Sequence, residues 1–282
     1  MGIREINASS ITELISRLCI EANCNLKKDI EKALAQSLAA EESPVGKNVI
    51  QSMLENASIA RNEQAPICQD TGMAVVFFEV GTDVHICGGD PEEAINEGVR
   101  LGYEKGYLRK SVVRDPVDRV NTNDNTPAVI HYTITTGDQI KIIVAPKGFG
   151  SENMSAIKML TPSESIEGIK KFVIDTVSKA GANPCPPIIV GVGVGGTLEK
   201  CALLSKKALL RSVDSGNPDK FWNSVEKELL EKINAIGIGP AGFGGRITAL
   251  GVNIETFPTH IAGLPVAVNI GCHVTRHAEG IL

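Results

Sequence analysis

The sequence predicts an α+β fold, with a helical N-terminal region followed by mixed and antiparallel sheet elements packed with helices. Three observations predict it. Apolar residues recur at helical spacing before Pro66, and β-rich runs begin only after it. Strands and helices then follow one another without the even alternation of βαβ units. On this reading the 282 residues form a single domain. Residues 1–64 make its helical region and 65–282 its mixed region.

Ile11, Leu14, Ile15, Leu18 and Cys19 fall on one stripe of a first helix. Ile30, Leu34 and Leu38 continue at four-residue steps in a second. Ser43 reads as an N-cap with Pro44 at the first helical position, and Val49, Ile50, Met53, Leu54 and Ala57 give the third helix. Residues 74–80 form a strand ended by Gly81, and Asp90-Pro91 opens a helix toward Tyr107. Runs at 128–135 and 139–144 flank Thr136-Gly137-Asp138, which predicts a hairpin. A helix over 162–180, capped by Thr161 or Ser163, precedes a buried strand at 187–194. Helices at 198–210 and 219–236 and strands at 247–255 and 265–270 complete the chain.

Charge excludes some functions. With 28 basic and 33 acidic side chains the net charge is −5, and no basic block marks a nucleic-acid or anionic-lipid surface. No apolar run is long enough for a membrane span. Met1 to Asn7 carries Arg4 and Glu5 and is not a secretory signal, so a cytoplasmic chain with reduced cysteines is expected.

The run Gly191 to Gly196 satisfies a bare G-x-G-x-x-G pattern between a strand and a helix. A nicotinamide site also requires an acidic residue ending a second strand, whereas Asp214 sits in a turn. The loop still offers backbone N–H groups to an anion. Among the seven cysteines, Cys19, Cys24, Cys87 and Cys201 read as small buried hydrophobes. Cys68, Cys185 and Cys272 stand instead beside proline or glycine at strand edges, where a metal ligand can be aimed at little cost in ordering. No C-x-x-C pair signals a zinc ribbon or ferredoxin cluster. Three thiolates are able to hold three irons of a four-iron cluster and leave the fourth open, although spacing alone does not separate co-ligands from unrelated cysteines.

The stretches around these cysteines, 66–72, 120–128, 145–153, 181–196 and 259–272, resemble the class I, iron–sulfur-dependent fumarate hydratases. The likeness runs from about residue 10 to the end, and the L-tartrate dehydratases share the framework. The resemblance implies an open [4Fe-4S] cluster on Cys68, Cys185 and Cys272. It implies substrate contacts at Gln69 and Asp70, a carboxylate-binding Arg109, backbone approach by Gly148 and Gly150, and an active-site His260 near a subunit boundary. Single-chain family members continue into a second domain, whereas this chain stops ten residues after Cys272. The expectation is therefore the alpha subunit of a two-subunit form, dependent on a beta subunit in an alpha2beta2-type hetero-oligomer.

The implied reaction is oxygen-sensitive hydration of fumarate to (S)-malate, a step of the tricarboxylic acid cycle. The rivals are L(+)-tartrate dehydration, a non-catalytic iron–sulfur or redox-sensing module, and a nicotinamide oxidoreductase. Asp70 is both a proton-relay candidate and good turn chemistry. Arg246 is a weaker clamp candidate than Arg109, and Arg114 and Arg119 read as solvated. Lys147 is a loop lysine with possible anion contact. Asn121, Asn123 and Asn125 serve either ligands or their own backbone. Met73, Met154 and Met159 read as packing, and His273 and His277 as solvated tail residues outside the site.

Overall fold

The computed structural model describes residues 2–282. In chain order its elements begin with β1 (Arg4–Asn7), α1 (Ala8–Cys24), α2 (Lys28–Ala40) and α3 (Pro44–Glu63). Next come β2 (Met73–Gly81), β3 (Val84–Cys87), α4 (Pro91–Lys105), β4 (Val129–Thr135) and β5 (Ile140–Lys147). α5 (Phe149–Glu152), β6 (Ala156–Leu160), α6 (Ser165–Ala180), β7 (Ile188–Gly195) and α7 (Leu198–Ala208) follow. α8 (Lys220–Asn234), β8 (Ala249–Phe257), β9 (Leu264–Gly271) and β10 (Ala278–Ile281) end the chain. Helices with parallel and antiparallel strands make this an α+β fold.

Two compact units result, and they cut across the division expected at residue 64. The first comprises the chain up to Leu26, Ala57–Phe149 and Arg276–Leu282; the second comprises Lys27–Asn56 and Gly150–Thr275. Of the three opening helices, α1 lays its stripe into the core of the first unit, α2 lies in the second, and α3 is divided between the two after Asn56.

In the first unit the sheet order is β10-β5-β2-β4, beside a parallel pair of β1 and β3. Ile11, Leu14, Ile15 and Leu18 of α1 pack with Ile95, Val99 and Tyr103 of α4 over Val76, Phe78, Ile142 and Val144 of the sheet. The predicted hairpin is not formed. β4 runs parallel to β2, and β5 runs antiparallel to β2 on its other side. The Thr136-Gly137-Asp138 turn instead wraps the end of β2, where Gly81 N donates to the Gln139 carbonyl and Asp83 N to that of Gly137. A turn between two β-rich runs cannot show that a third strand lies between them.

In the second unit the order is β6-β9-β7-β8, with β7 parallel to β8 and antiparallel to β9. Every residue of β7 is buried. Val190, Val192 and Val194 join the core with Val173 of α6 and Leu229 of α8. The alternate positions face α7: a Cβ at Gly191 would lie 2.2 Å from the Ser205 carbonyl oxygen, and one at Gly193 would lie 2.1 Å from that of Cys201. These glycines let a helix lie directly on a strand. β1, β6 and β10 escape sequence reading because each is short and polar in part. Met159, expected to pack, is 54% exposed on the edge strand β6, while Met154 does pack against the second core.

Candidate functional site

In the first unit, the loop bearing Cys68, Gln69 and Asp70 is fixed from several sides. Asp70 Oδ1 accepts from Gly72 N at 3.0 Å, which makes it the turn residue its sequence suggested. Its Oδ2 accepts from Phe149 N at 2.9 Å and so holds the Gly148 segment alongside. Gly72 has φ +76°, and a Cβ there would lie 2.7 Å from Lys147 N, so only glycine permits the approach. Thr71 Oγ1 donates to the Arg109 carbonyl at 2.8 Å. Thus the loop bearing Cys68, Gln69 and Asp70 is bonded to the Arg109 segment on one hand and the Gly148 segment on the other.

Buried side chains support this group from beneath. The Tyr103 hydroxyl donates to the carbonyls of Thr71 at 2.8 Å and Gly72 at 3.0 Å, and burial pushes its pKa upward, so it remains a donor. Asn125 accepts from Ser111 N at 2.7 Å and donates to the Gly72 carbonyl at 3.1 Å. Asn121 donates to the Lys110 carbonyl at 3.0 Å and accepts from Asn123 N at 2.7 Å. The side chains of Asn121 and Asn125 therefore hold backbone. Gln69 and Arg109 are exposed, and Cys68 and Asp70 half-buried.

In the second unit, β7 and β9 are antiparallel with Ile189 opposite Gly271. Cys185, just before β7, and Cys272, just after β9, therefore share one end of that sheet. His273 Nδ1 lies 3.0 Å from the Cys185 carbonyl oxygen, which brings into the site a histidine expected to be a solvated tail residue. Cys185 has φ +55°. Gly150 lies beside the Asn183 carbonyl, 3.8 Å from the position its Cβ would take. Glu152 binds Lys206 Nζ at 2.6 Å and Asn269 Nδ2 at 3.0 Å, which ties α5 to α7 and β9.

His260 is elsewhere. It precedes β9, whereas Cys272 follows it, and the eight residues of β9 span roughly 26 Å. Its Nδ1 accepts from Ala262 N at 3.2 Å in an exposed turn. Arg246 is also engaged elsewhere, with Nη1 donating to Glu42 at 2.5 Å.

Accessibility sets three enclosed cysteines apart from the other four. Cys19, Cys24 and Cys201 are buried, Cys185 is exposed, and Cys68 and Cys272 are half-buried. Cys87 is half-buried rather than buried as expected. Burial pushes the Cys19 and Cys201 thiols up to about 12, against thiolate formation. Among the described residues, no group of three or more His, Cys, Asp and Glu side chains is arranged to hold a metal ion. The chemistry of the Cys68, Cys185 and Cys272 donor set nevertheless fits an iron–sulfur group, because all three thiols stand on loops at strand ends and none is sealed in a core.

Sequence reading overlooked Arg276, which is 5% exposed and donates through Nη2 to the Asp70 carbonyl. An arginine between two histidines near a chain end carries no local sign of burial.

The described helices include none long and apolar enough to cross a membrane. Over 278 residues the chain is 44% identical to the "Putative L(+)-tartrate dehydratase subunit alpha" of Methanocaldococcus jannaschii, covering 95% of this chain and 96% of that one. It is 34% identical over 272 residues to the "L(+)-tartrate dehydratase subunit alpha" of Escherichia coli K12, covering 95% and 89% of the two chains. Residues 12–281 match the family described as "Fumarate hydratase (Fumerase)", and this chain belongs to that family.

Proposed function

We propose that this chain is the alpha subunit of a hydro-lyase that reversibly hydrates fumarate to (S)-malate, with an open [4Fe-4S] cluster on Cys68, Cys185 and Cys272. The observation that carries this reading is that Cys185 and Cys272, both in the family motifs, stand at one end of the same sheet. The three cysteines in the family motifs stand accessible at strand ends, as half-buried Cys87 also does outside them, while Cys19, Cys24 and Cys201 are enclosed.

When bound, such a cluster supplies a Lewis-acidic iron that polarises a hydroxyl or water. The chain's own residues do the rest. Arg109, exposed beside the Cys68 loop, neutralises a substrate carboxylate and the charge that develops on it as the C3 proton leaves. Gly148 and Gly150 let backbone approach the substrate without side-chain interference. Asp70, positioned by two backbone N–H donors, holds a proton at Oδ2 in exchange with a group on the beta subunit. His260, on an exposed turn, works at a boundary between subunits. The assembly is a cytoplasmic alpha2beta2-type hetero-oligomer.

A second reading is L(+)-tartrate dehydration, carried by the names of the relatives. The two substrates differ by one hydroxyl, which a polar partner in the site discriminates strongly. The test is anaerobic reconstitution of the alpha–beta complex with iron and sulfide, followed by rates on (S)-malate and L(+)-tartrate. Faster malate turnover supports the first reading and faster tartrate turnover the second. Iron retention without turnover of either makes the chain a binding or redox module. Cys185→Ser is expected to lose the iron and Cys201→Ser to keep it; equal effects overturn the ligand assignment. Activity is expected to fall in air and to return with iron and reductant.

A further inference from the structure

Arg276 opens the C-terminal segment of the first unit and is almost fully buried. Nη2 donates to the Asp70 carbonyl, while Nε and Nη1 are buried with no hydrogen-bond partner. The oxygen it holds is therefore a neutral carbonyl, and two of its three nitrogens are buried with their N–H groups unused. A guanidinium does not shed its proton, and a buried charge without a counter-charge is costly. The nearby carboxylate of Asp70 is engaged by Gly72 N and Phe149 N. Tyr103, also buried there, is a neutral donor to the same loop. The loop at Cys68–Gly72 is thus underlain by a buried guanidinium that no carboxylate bonds directly, since the Asp70 carboxylate beside it is turned to Gly72 N and Phe149 N.

We infer that Arg276 is a positioning residue whose charge is balanced by an anionic group carried on the Cys68–Gly72 loop and present only when the site is loaded. The inference rests on the function proposed above. Two sources supply that chemistry: the thiolate-ligated cluster itself, and the dicarboxylate substrate. Because Nε and Nη1 are enclosed, Arg276 acts through the Asp70 carbonyl and through its field, which the low-dielectric surroundings leave largely unscreened.

Arg276→Met and Arg276→Lys variants of the alpha–beta complex separate these roles. Methionine fills similar space without charge, and lysine restores charge without the planar fork. The methionine variant's iron-free form is expected to melt at or above the wild-type temperature, because a buried guanidinium with unbonded N–H groups has gone. Its loaded form is expected to release iron to a chelator about 10–100-fold faster than wild type, with lysine intermediate. That result makes the cluster the balancing anion. Unchanged iron release with KM for the dicarboxylate raised by a similar factor makes it the substrate, and also supports the inference. An iron-free methionine variant that melts below wild type overturns it, since Arg276 is then only a clamp on a carbonyl. Unchanged iron release and unchanged KM also overturn it. A wild-type complex that holds no iron removes the hydro-lyase reading as well, an outcome distinct from failure at Arg276 alone.

Discussion

His273 Nδ1 lies 3.0 Å from the carbonyl oxygen of Cys185 and joins the loop after β9 to the loop before β7. A carbonyl only accepts, so Nδ1 carries the proton and donates it. The bond fixes one cysteine loop against the segment following another. His273→Ala is expected to cost about 1 kcal/mol of stability, the net worth of one such bond. The same variant is expected to lose reconstituted iron faster than wild type. Chelator-challenge kinetics on the complex check this, and iron release at the wild-type rate would count against the role.

Gly193 tests what the glycine-rich strand is for. Its missing Cβ would lie 2.1 Å from the Cys201 carbonyl oxygen and 2.6 Å from Ser205 N, both backbone atoms of α7. Gly193→Ala is therefore expected to force α7 away from β7 and to destabilise the chain by about 3 kcal/mol, the upper end for overpacking. Urea unfolding measures it. NAD is expected to leave the wild-type melting temperature unchanged, since these glycines pack a helix instead of cradling a pyrophosphate.

The elements that were legible in the sequence are those whose pattern is local. Ile11 to Cys19 mark α1 by spacing, Asp90 and Asp219 mark the starts of α4 and α8, and unbroken apolar residues mark β7. Both aspartates do cap, accepting from Glu93 N at 2.9 Å and Phe221 N at 2.8 Å respectively. What was hidden depends on partners far along the chain. β2 separates β4 from β5, and β10 pairs with β5 although it lies far beyond it in sequence. Motifs singled out three of the four accessible cysteines, whereas Cys87 was expected to be buried and is half-buried. The burial of Arg276 was not, because nothing near it in sequence reports the Tyr103 and Asp70 loop against which it sits. Asp70 showed its turn but not its second bond, to Phe149, which closes across 79 residues.

Glu41 gives a prediction on pH. It is 1% exposed. Burial works against its charge, but backbone N–H groups of Ser43, Arg246, Ile247 and Glu42 donate to the carboxylate and hold its pKa below the ordinary value. A carboxyl depressed in the folded state stabilises fully above its unfolded pKa, and the stabilisation is lost as pH falls through the folded value. Wild-type stability is therefore expected to decline below about pH 4.5, the region of an unperturbed glutamate. Glu41→Gln should lower stability at neutral pH by about 1.5–3 kcal/mol and flatten that decline. Denaturant midpoints between acid and neutral pH, with both proteins side by side, decide it.

Asp70 carries the last prediction, because turn-forming and proton-handling roles meet in one carboxylate. Asp70→Asn retains an oxygen for Gly72 N but presents an NH2 group toward Phe149 N, where an acceptor stood. If Asp70 were only a turn residue, the asparagine variant would lose about 1 kcal/mol of stability and chiefly raise KM, through displacement of the Gly148 segment. If its Oδ2 also moves a proton, kcat falls by about 10²–10⁴-fold, the range for a positioned acid or base. The expected outcome is the second, with folding and iron content retained, because the turn bond to Gly72 survives the substitution. Phe149→Pro provides the control: it removes the N–H donor and leaves the carboxylate intact. A kcat lowered as far by Phe149→Pro as by Asp70→Asn would assign the effect to the loop and leave Asp70 without a proton to move.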